Sequence, residues 1–149
     1  MDDIIKTTSN YMNYELLSKQ IKYLIEPVSD EIANLANISA LLNEEIKDIN
    51  WVGFYFVKDN HLVLGPFQGK VACTYIEFGK GVCGTCYNEN KTILVENVHE
   101  FKGHIACDSR SNSEIVIPLH KNNKIYILLD IDSTSFSRFN NEDKVGLEL

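Results

Sequence analysis

The order of the predicted elements indicates an α+β fold in which helices pack against a central antiparallel sheet. Two amphipathic segments come first, at residues 10–26 and from about residue 30 to Ile46. Short strand-like runs with turn signals between them then occupy most of the remaining chain. Hairpin-connected strands pair antiparallel, and helices grouped before them cover such a sheet. We therefore predict helices at the N-terminus and a C-terminal helix on one face of the sheet.

The two leading helices are predicted from the spacing of their apolar residues. Pro27 is a suitable stop for the first helix, and Ser29 or Asp30 can cap the second. In each segment the apolar residues fall on one helical face. They are Leu17, Ile21, Leu24 and Ile25 in the first segment and Ile32, Leu35, Leu42 and Ile46 in the second.

The strands are predicted from short runs rich in aromatic and β-branched residues. "WVGFYFV" turns through "KDN" into "HLVL", which is typical of a hairpin. "KTILVENV" is a further strand, and "SEIVIPLH" and "KIYILLDIDS" form a second hairpin around Asn122 and Asn123. A final helix is predicted to begin near "NNED". No linker or repeat divides the sequence, so we predict a single domain over residues 1–149.

Charge and length exclude several functional classes. Fourteen basic residues stand against 21 acidic ones, and no Lys/Arg cluster could neutralise several phosphates at once, so nucleic acid is not an expected partner. No apolar run approaches the ~18 residues of a membrane span, and the acidic start "MDDIIKTTSN" does not resemble a targeting peptide. We expect a cytoplasmic protein with no membrane association. A homodimer is compatible with the sequence.

The four cysteines lie in the central third of the chain, at 73, 83, 86 and 107. A cytoplasmic location makes a disulfide framework improbable, which leaves packed hydrophobes, metal ligands or redox-active thiols. The "CGTC" pair lacks a second knuckle for zinc and a βαβ context for thioredoxin-like chemistry. Cys86 is interpreted as a small buried residue on a short helix that begins near Gly81. We expect neither a metal nor a cofactor.

Cys107 differs from the other cysteines in its surroundings. The polar loop that follows it, "DSRSNS", supplies backbone N–H groups and includes Arg110, a source of positive potential. Such surroundings favour a thiolate, whereas apolar burial disfavours it. Cys107 is therefore the best candidate for a reactive thiol, although a cysteine in an exposed loop can be incidental.

Three acids accompany the last two strands. Glu114 opens one strand, and Asp130 and Asp132 share a face at the end of its partner. Acids at strand ends commonly just face water. If the three converge near a thiol, they form a site for a cationic group, and their crowding raises the pKa of one of them enough to keep it protonated.

Convergence of these acids depends on the hairpin register. A two-residue turn at Asn122 and Asn123 in an unbroken ladder would place Glu114 opposite Ile131, on the other face from the aspartates. A three-residue loop or a bulge would instead bring Glu114 opposite Asp132. A shared acidic site therefore requires one of these two irregularities.

Two aromatic residues of the first strand complete the candidate site. Trp51 and Tyr55 share a strand face by the same two-residue period. Most strand aromatics belong to the core. This pair could also wall a small pocket for an apolar or sulfur-containing group, because aromatic rings make favourable contacts with sulfur.

Several stretches together resemble a known enzyme family. "INWVGFYF", "LGPFQGKVACTYIEFGKGVCG", "HIACDSRSNSEIVIP" and "LLDIDS" are similar, in order and spacing, to the free methionine-(R)-sulfoxide reductases, which are built on a GAF domain. The resemblance implies a GAF-like fold. It identifies Cys107 with the family's nucleophile and Cys83 and Cys73 with its two other redox cysteines, and it gives Cys86 no counterpart. It also identifies Glu114, Asp130 and Asp132 with the acids that hold the substrate and assist the reaction, and Trp51 and Tyr55 with the pocket wall.

The activity implied by this resemblance is reduction of free L-methionine-(R)-sulfoxide. Thiolate attack by Cys107, proton donation by Glu114 or an aspartate, and a sulfenic acid resolved to a disulfide by a second thiol would follow. Thioredoxin is the implied reductant, and protection against oxidative stress the implied role. Two alternatives remain open, a non-catalytic GAF sensor for a small ligand and a redox-sensing thiol protein. The second would need the cysteines but not three converging acids.

Overall fold

An α+β architecture is present in the computed structural model, which describes residues 13–103 and 110–148. In chain order the elements are α1 (Tyr14–Ile25), α2 (Glu31–Glu45), β1 (Trp51–Lys58), β2 (His61–Gln68), β3 (Tyr75–Glu77), α3 (Gly81–Glu89), β4 (Ile93–Val95), a 3-10 turn (Val98–Glu100), β5 (Ser113–Lys121), β6 (Lys124–Ser133) and α4 (Asn141–Leu147). The strands form a six-stranded sheet in the order β3-β2-β1-β6-β5-β4. Each neighbouring pair among them is antiparallel, as the hairpin pattern predicts.

The helices α1, α2 and α4 cover one face of the sheet. Asp30 caps α2 by accepting a hydrogen bond from the backbone N–H of Ala33 at 3.0 Å, one of the two caps that the sequence predicts. The helices and the strands share one apolar core. Its buried members include Leu17, Leu35, Leu42 and Ile46 from the helical side and Val52, Phe54, Ile115 and Ile131 from the sheet. Among the described helices, none is both long enough and apolar enough to cross a bilayer.

The prediction that Ile32 of α2 faces the core is wrong. Ile32 is 55% exposed, whereas Leu35 and Leu42 are buried. Ile32 has the correct helical phase, but it lies in the first turn of α2, one turn before the first buried residue of the helix. Periodicity predicts which side of a helix faces the core but not where along its length the contact begins.

The helix α3 packs on the opposite face of the sheet. Its residues Val82, Cys83 and Cys86 join a second apolar cluster with Tyr55 and Leu128 of the central strands. Gly84 makes this packing possible, because a Cβ atom there would lie 2.5 Å from the carbonyl oxygen of Glu77. The face that carries α3 is the face that carries the candidate site.

The β5–β6 hairpin combines a two-residue turn with a bulge. Asn122 and Asn123 both have positive φ, 55° and 66°, and Lys121 pairs with Lys124, as in a tight hairpin turn. The register then shifts between Leu119 and His120, which leaves Tyr126 as an extra residue on β6. The prediction that the shared acidic site needs an irregularity in this hairpin is thereby confirmed.

Candidate active site

The three central strands bring the predicted polar and aromatic residues together on the face that carries α3. Trp51 of β1 lies opposite Asp132 of β6, and Asp132 lies opposite Glu114 of β5. Asp130, two residues before Asp132, lies opposite Gly53 of β1. Alternate residues of a strand share a face, so all three acids project to the same side of the sheet.

The three acids form a hydrogen-bonded cluster in which Glu114 and Asp130 are buried and Asp132 is half-buried. Glu114 is 8% exposed and Asp130 is 6% exposed. The Glu114 carboxyl interacts with both Asp130 and Asp132 through side-chain hydrogen bonds. Burial, and then the negative charges of the two aspartates, raise the pKa of Glu114 well above its usual range. The raised pKa favours the neutral carboxylic acid form of Glu114, which can donate a proton.

Cys83 belongs to the same cluster. It is 4% exposed on α3, and its Sγ donates a hydrogen bond to Oδ2 of Asp130 over 3.3 Å. Burial, and then the charges of Asp130 and Glu114, raise the pKa of this thiol well above its usual range. Cys83 is thus a protonated donor that orients Asp130, and its surroundings disfavour the thiolate form.

The other cysteines have different environments. Cys86 is fully buried behind α3 with its Sγ 3.7 Å from the carbonyl oxygen of Val116, and burial raises the pKa of its thiol to about 12. This agrees with its interpretation as a packed hydrophobe. Cys73 is half-buried and disulfide-bonded, whereas Cys83 and Cys86 are free thiols. Cys107, the predicted nucleophile, lies outside the described residues.

Three aromatic side chains, Trp51, Tyr55 and Phe67, form an aromatic wall beside the acids. The rings of Trp51 and Tyr55 are stacked with centroids 6.1 Å apart, and Phe67 of β2 also stacks with Trp51 at 5.2 Å. Burial, and then the charge of Asp130, raise the pKa of the Tyr55 hydroxyl far above its usual value, so it remains a donor throughout the physiological range. The cleft therefore joins a polarizable apolar wall to a polar floor.

The rim of the cleft comes from three segments whose role the sequence did not single out. Val71 and Ala72 lie on the loop between β2 and β3, and Lys80 lies at the start of α3. Ser111 is 5% exposed, lines the cleft, and accepts a hydrogen bond from Nδ2 of Asn50 at 3.1 Å. The sequence analysis identified Ser111 only as part of a polar loop. Its position two residues before β5, a buried strand whose second residue is an acid, was the signal available for it.

The cleft also holds a set of atoms of the kinds that bind metals. Among residues 13–103 and 110–148, Cys83, Glu114 and Asp130 place a sulfur and carboxylate oxygens within 4.8 Å of one another. A metal would require Cys83 as a thiolate and a deprotonated Glu114. The raised pKa values of both groups favour their protonated forms, each of which is hydrogen-bonded to Asp130. The arrangement accordingly favours proton transfer and binding of a cationic group.

Comparison with known proteins gives the family of the chain. The free methionine-R-sulfoxide reductase of Escherichia coli strain K12 is 54% identical over 134 residues, which cover 90% of this chain and 81% of that protein. The chain belongs to the free methionine-R-sulfoxide reductase family. A solved structure of the Staphylococcus aureus fRMsr in complex with substrate has a TM-score of 0.88 at 54% identity and covers 93% of this chain and 91% of its own. No protein-family model matches the sequence.

The fold prediction is confirmed by a further solved structure. A structure of the GAF domain has a TM-score of 0.83 at 43% identity, with 93% of this chain and 87% of that chain covered. This free methionine-R-sulfoxide reductase is therefore an oxidoreductase with a GAF fold, as its motifs predict. Six of the residues that the motifs identified line one cleft; they are Trp51, Tyr55, Cys83, Glu114, Asp130 and Asp132. Cys73 is not among the residues that line it, and Cys107 lies outside the described residues.

The raised pKa of Glu114 should make the reductase lose stability as the pH rises. Above the usual pKa of a glutamate, the folded protein retains a proton that the unfolded chain has released, so the free energy of unfolding falls with increasing pH. Glu114→Gln removes this titration. Relative to the parent, we expect its free energy of unfolding to increase by up to about 1.4 kcal/mol for each pH unit between the usual pKa of a glutamate and the raised pKa of Glu114.

Urea unfolding at several pH values measures this difference. Glu100→Gln is the matched control, because Glu100 is exposed on the 3-10 turn. Its stability should follow the pH dependence of the parent. A Glu114→Gln curve parallel to the parent curve would show that Glu114 is ionised in the folded protein.

Proposed function

We propose that this chain reduces free L-methionine-(R)-sulfoxide to methionine. The observation that carries the proposal is the buried Glu114 carboxyl, whose pKa is raised by burial and by Asp130 and Asp132, in a cleft with an aromatic wall. Reduction of a sulfoxide needs a proton at the departing oxygen, and a buried protonated carboxyl is suited to supply it. The relatives whose names carry this activity support the assignment.

Substrate selection follows from the two kinds of side chain in the cleft, its acids and its aromatic rings. The carboxylates of Asp130 and Asp132 would bind the α-ammonium group, and the rings of Trp51 and Tyr55 would contact the sulfur and its methyl group. A methionine inside a peptide chain has no α-ammonium group. The negative floor of the cleft therefore favours the free amino acid over a protein-bound residue.

The chemical step transfers the sulfoxide oxygen to a cysteine. The Cys107 thiolate attacks the substrate sulfur while Glu114 gives its proton to the oxygen. The sulfur–sulfur bond formed by this attack and the sulfur–oxygen bond of the substrate both break as the hydroxyl group passes to the Cys107 sulfur, which becomes a sulfenic acid, and methionine leaves. The substrate sulfur gains two electrons, which the sulfur of Cys107 loses, and solvent later reprotonates Glu114.

We assign the resolving thiol to Cys73. A thiol at Cys73 condenses with the sulfenic acid at Cys107, which forms a disulfide and releases water. Cys73 is half-buried and is the disulfide-bonded cysteine of the described residues, which supports this choice. Cys83 is less suited, since it is buried, hydrogen-bonded to Asp130 and has a raised pKa. A dithiol reductant of the thioredoxin type would then reduce the disulfide and become a disulfide itself.

Methionine release from matched substrates tests the proposed function. The reduced protein should form methionine from free L-methionine-(R)-sulfoxide, much less from the (S) epimer, and very little from N-acetyl-L-methionine-(R)-sulfoxide, in which the ammonium group is blocked. Amino-acid analysis of single-turnover samples gives all three rates. Equal rates with the free and the N-acetylated compound would contradict the binding role of the aspartates, and no methionine from any substrate would contradict the function.

Single substitutions of the three other cysteines should separate their roles. In Cys73→Ala, the sulfenic acid at Cys107 should persist and react with dimedone. Cys83→Ala should still close a disulfide after turnover, and Cys86→Ala should keep substantial turnover with thioredoxin. Mass spectrometry of dimedone adducts and of disulfide-linked peptides reports each outcome. Loss of disulfide closure in Cys83→Ala with normal closure in Cys73→Ala would reverse the assignment.

A further inference from the structure

The loop that carries Cys73 is attached to the central strand β1 by two side-chain hydrogen bonds. Residues 69–74 connect β2 to β3 without regular secondary structure. Nε1 of Trp51 donates to the carbonyl oxygen of Lys70 at 3.1 Å, and the hydroxyl of Tyr55 donates to the carbonyl oxygen of Cys73 itself at 3.1 Å. Both donors are buried, at 3% and 2% exposure. The loop main chain is thus held by two rigid groups of the sheet.

The packing of Trp51 supports the same attachment. Gly69, at the start of the loop, has a φ of 137°, and a Cβ atom there would lie 2.6 Å from Cδ1 of Trp51. Gly69 therefore allows the loop to approach the indole closely, where a side chain would push it away. Phe67 fixes the indole from the β2 side by stacking. The position of the loop depends on the aromatic wall at both its first and its fifth residue.

Disulfide formation is demanding in geometry. The two Cα atoms must come within about 7 Å, with the Cβ atoms directed at each other, before the sulfurs can bond. A cysteine on an irregular loop meets this condition rarely unless its main chain is restrained. The Tyr55 hydroxyl restrains the main-chain carbonyl group of Cys73, which belongs to the same residue as the reacting sulfur.

We propose that Tyr55 and Trp51 are positioning residues for the resolving step, in which they hold the main chain of residues 70–73 so that the Cys73 thiol meets the sulfenic acid. This inference rests on the proposed function and assigns the aromatic pair a second task besides walling the cleft. The step itself is the condensation of Cys107–SOH with Cys73–SH to a disulfide and water. Methionine has already been released at that point, so oxygen transfer and disulfide closure can be measured separately.

Tyr55→Phe tests the inference, because it removes the hydroxyl and keeps the ring. The reduced protein is mixed with free L-methionine-(R)-sulfoxide without reductant, and samples are taken over time for methionine and for dimedone-trapped sulfenic acid. We expect the rate of disulfide closure, divided by the rate of methionine release, to fall about three- to tenfold. Tyr126→Phe is the matched control, because its hydroxyl bonds to Glu31 and its ring packs on the other face of the sheet. That variant should keep the parent ratio.

Gly69→Ala provides a second variant that leaves both aromatic donors in place. It should also lower the ratio, since the added methyl group displaces the loop from Trp51. If Tyr55→Phe does not fold, judged by circular dichroism, Gly69→Ala decides. An unchanged ratio in the folded variants, or an equal slowing of methionine release and closure, would overturn the positioning role. Absence of methionine from the parent protein would instead count against the proposed function.

Discussion

Cys107→Ser should abolish methionine formation from free L-methionine-(R)-sulfoxide, with a loss of at least about 10³-fold in single-turnover rate. A serine hydroxyl is of similar size and polarity, but it is not ionised near pH 7 and cannot accept oxygen from a sulfoxide. The three other cysteines do not replace it. Cys83 and Cys86 are buried thiols with raised pKa values, and we assign Cys73 to the later step.

Cys86→Ala is the control for this variant, since it also removes one thiol. Its methionine release should stay close to that of the parent, because Cys86 is fully buried behind α3 with its Sγ next to the carbonyl oxygen of Val116. Reverse-phase chromatography of quenched samples quantifies methionine for both. Full activity in Cys107→Ser would contradict the assignment of Cys107 as the nucleophile. Equal loss of activity in Cys86→Ala would indicate that the "CGTC" pair is the redox unit.

Glu114→Gln should reduce kcat by about 10² to 10⁴-fold while KM changes far less. The amide keeps the shape and can still donate hydrogen bonds to Asp130 and Asp132, so the cleft and its charge for the ammonium group are maintained. What it cannot do is transfer a proton to the departing oxygen. This variant should therefore combine improved stability at higher pH with loss of the chemical step.

The pH dependence of the rate gives an independent measure of the same group. With Glu114 as the proposed acid, the parent rate should fall as the pH rises through the raised pKa of Glu114. The residual rate of Glu114→Gln should lack this falling limb. Glu100→Gln, on the surface, should match the parent profile. A Glu114→Gln enzyme with parental kcat would transfer the donor role to one of the aspartates.

The outline of the fold could be predicted because local signals dominate its elements. Asp30 caps α2 as its side chain requires, and Asn122 and Asn123 adopt positive φ in the turn. The bulge at Tyr126 carries no local signal. It was predictable only as one of two alternatives, a bulge or a three-residue loop. Either of them brings Glu114 and Asp132 to the same face of the sheet, which they must share if they act together. The choice between bulge and longer loop is made by packing across the whole hairpin.

The candidate site was predictable in composition but less so in roles. Motifs identified the acids and the aromatic pair, and these residues line one cleft. Cys83 was matched to a redox cysteine, whereas its contact with Asp130 depends on how α3 packs against β6. The attachment of the Cys73 loop depends on two bonds to main-chain carbonyl groups. The loop attachment has no sequence pattern, because main-chain acceptors are present at every residue.

Counting thiols during a single turnover tests the central claim most directly. The fully reduced protein, which has four cysteines, is treated with excess free L-methionine-(R)-sulfoxide without reductant, and free thiols are titrated after denaturation. We predict that one methionine forms and that two thiols are lost per chain, with Cys73 and Cys107 linked in the recovered peptides. Methionine formed with all four thiols retained, or two thiols lost with no methionine formed, would contradict the account.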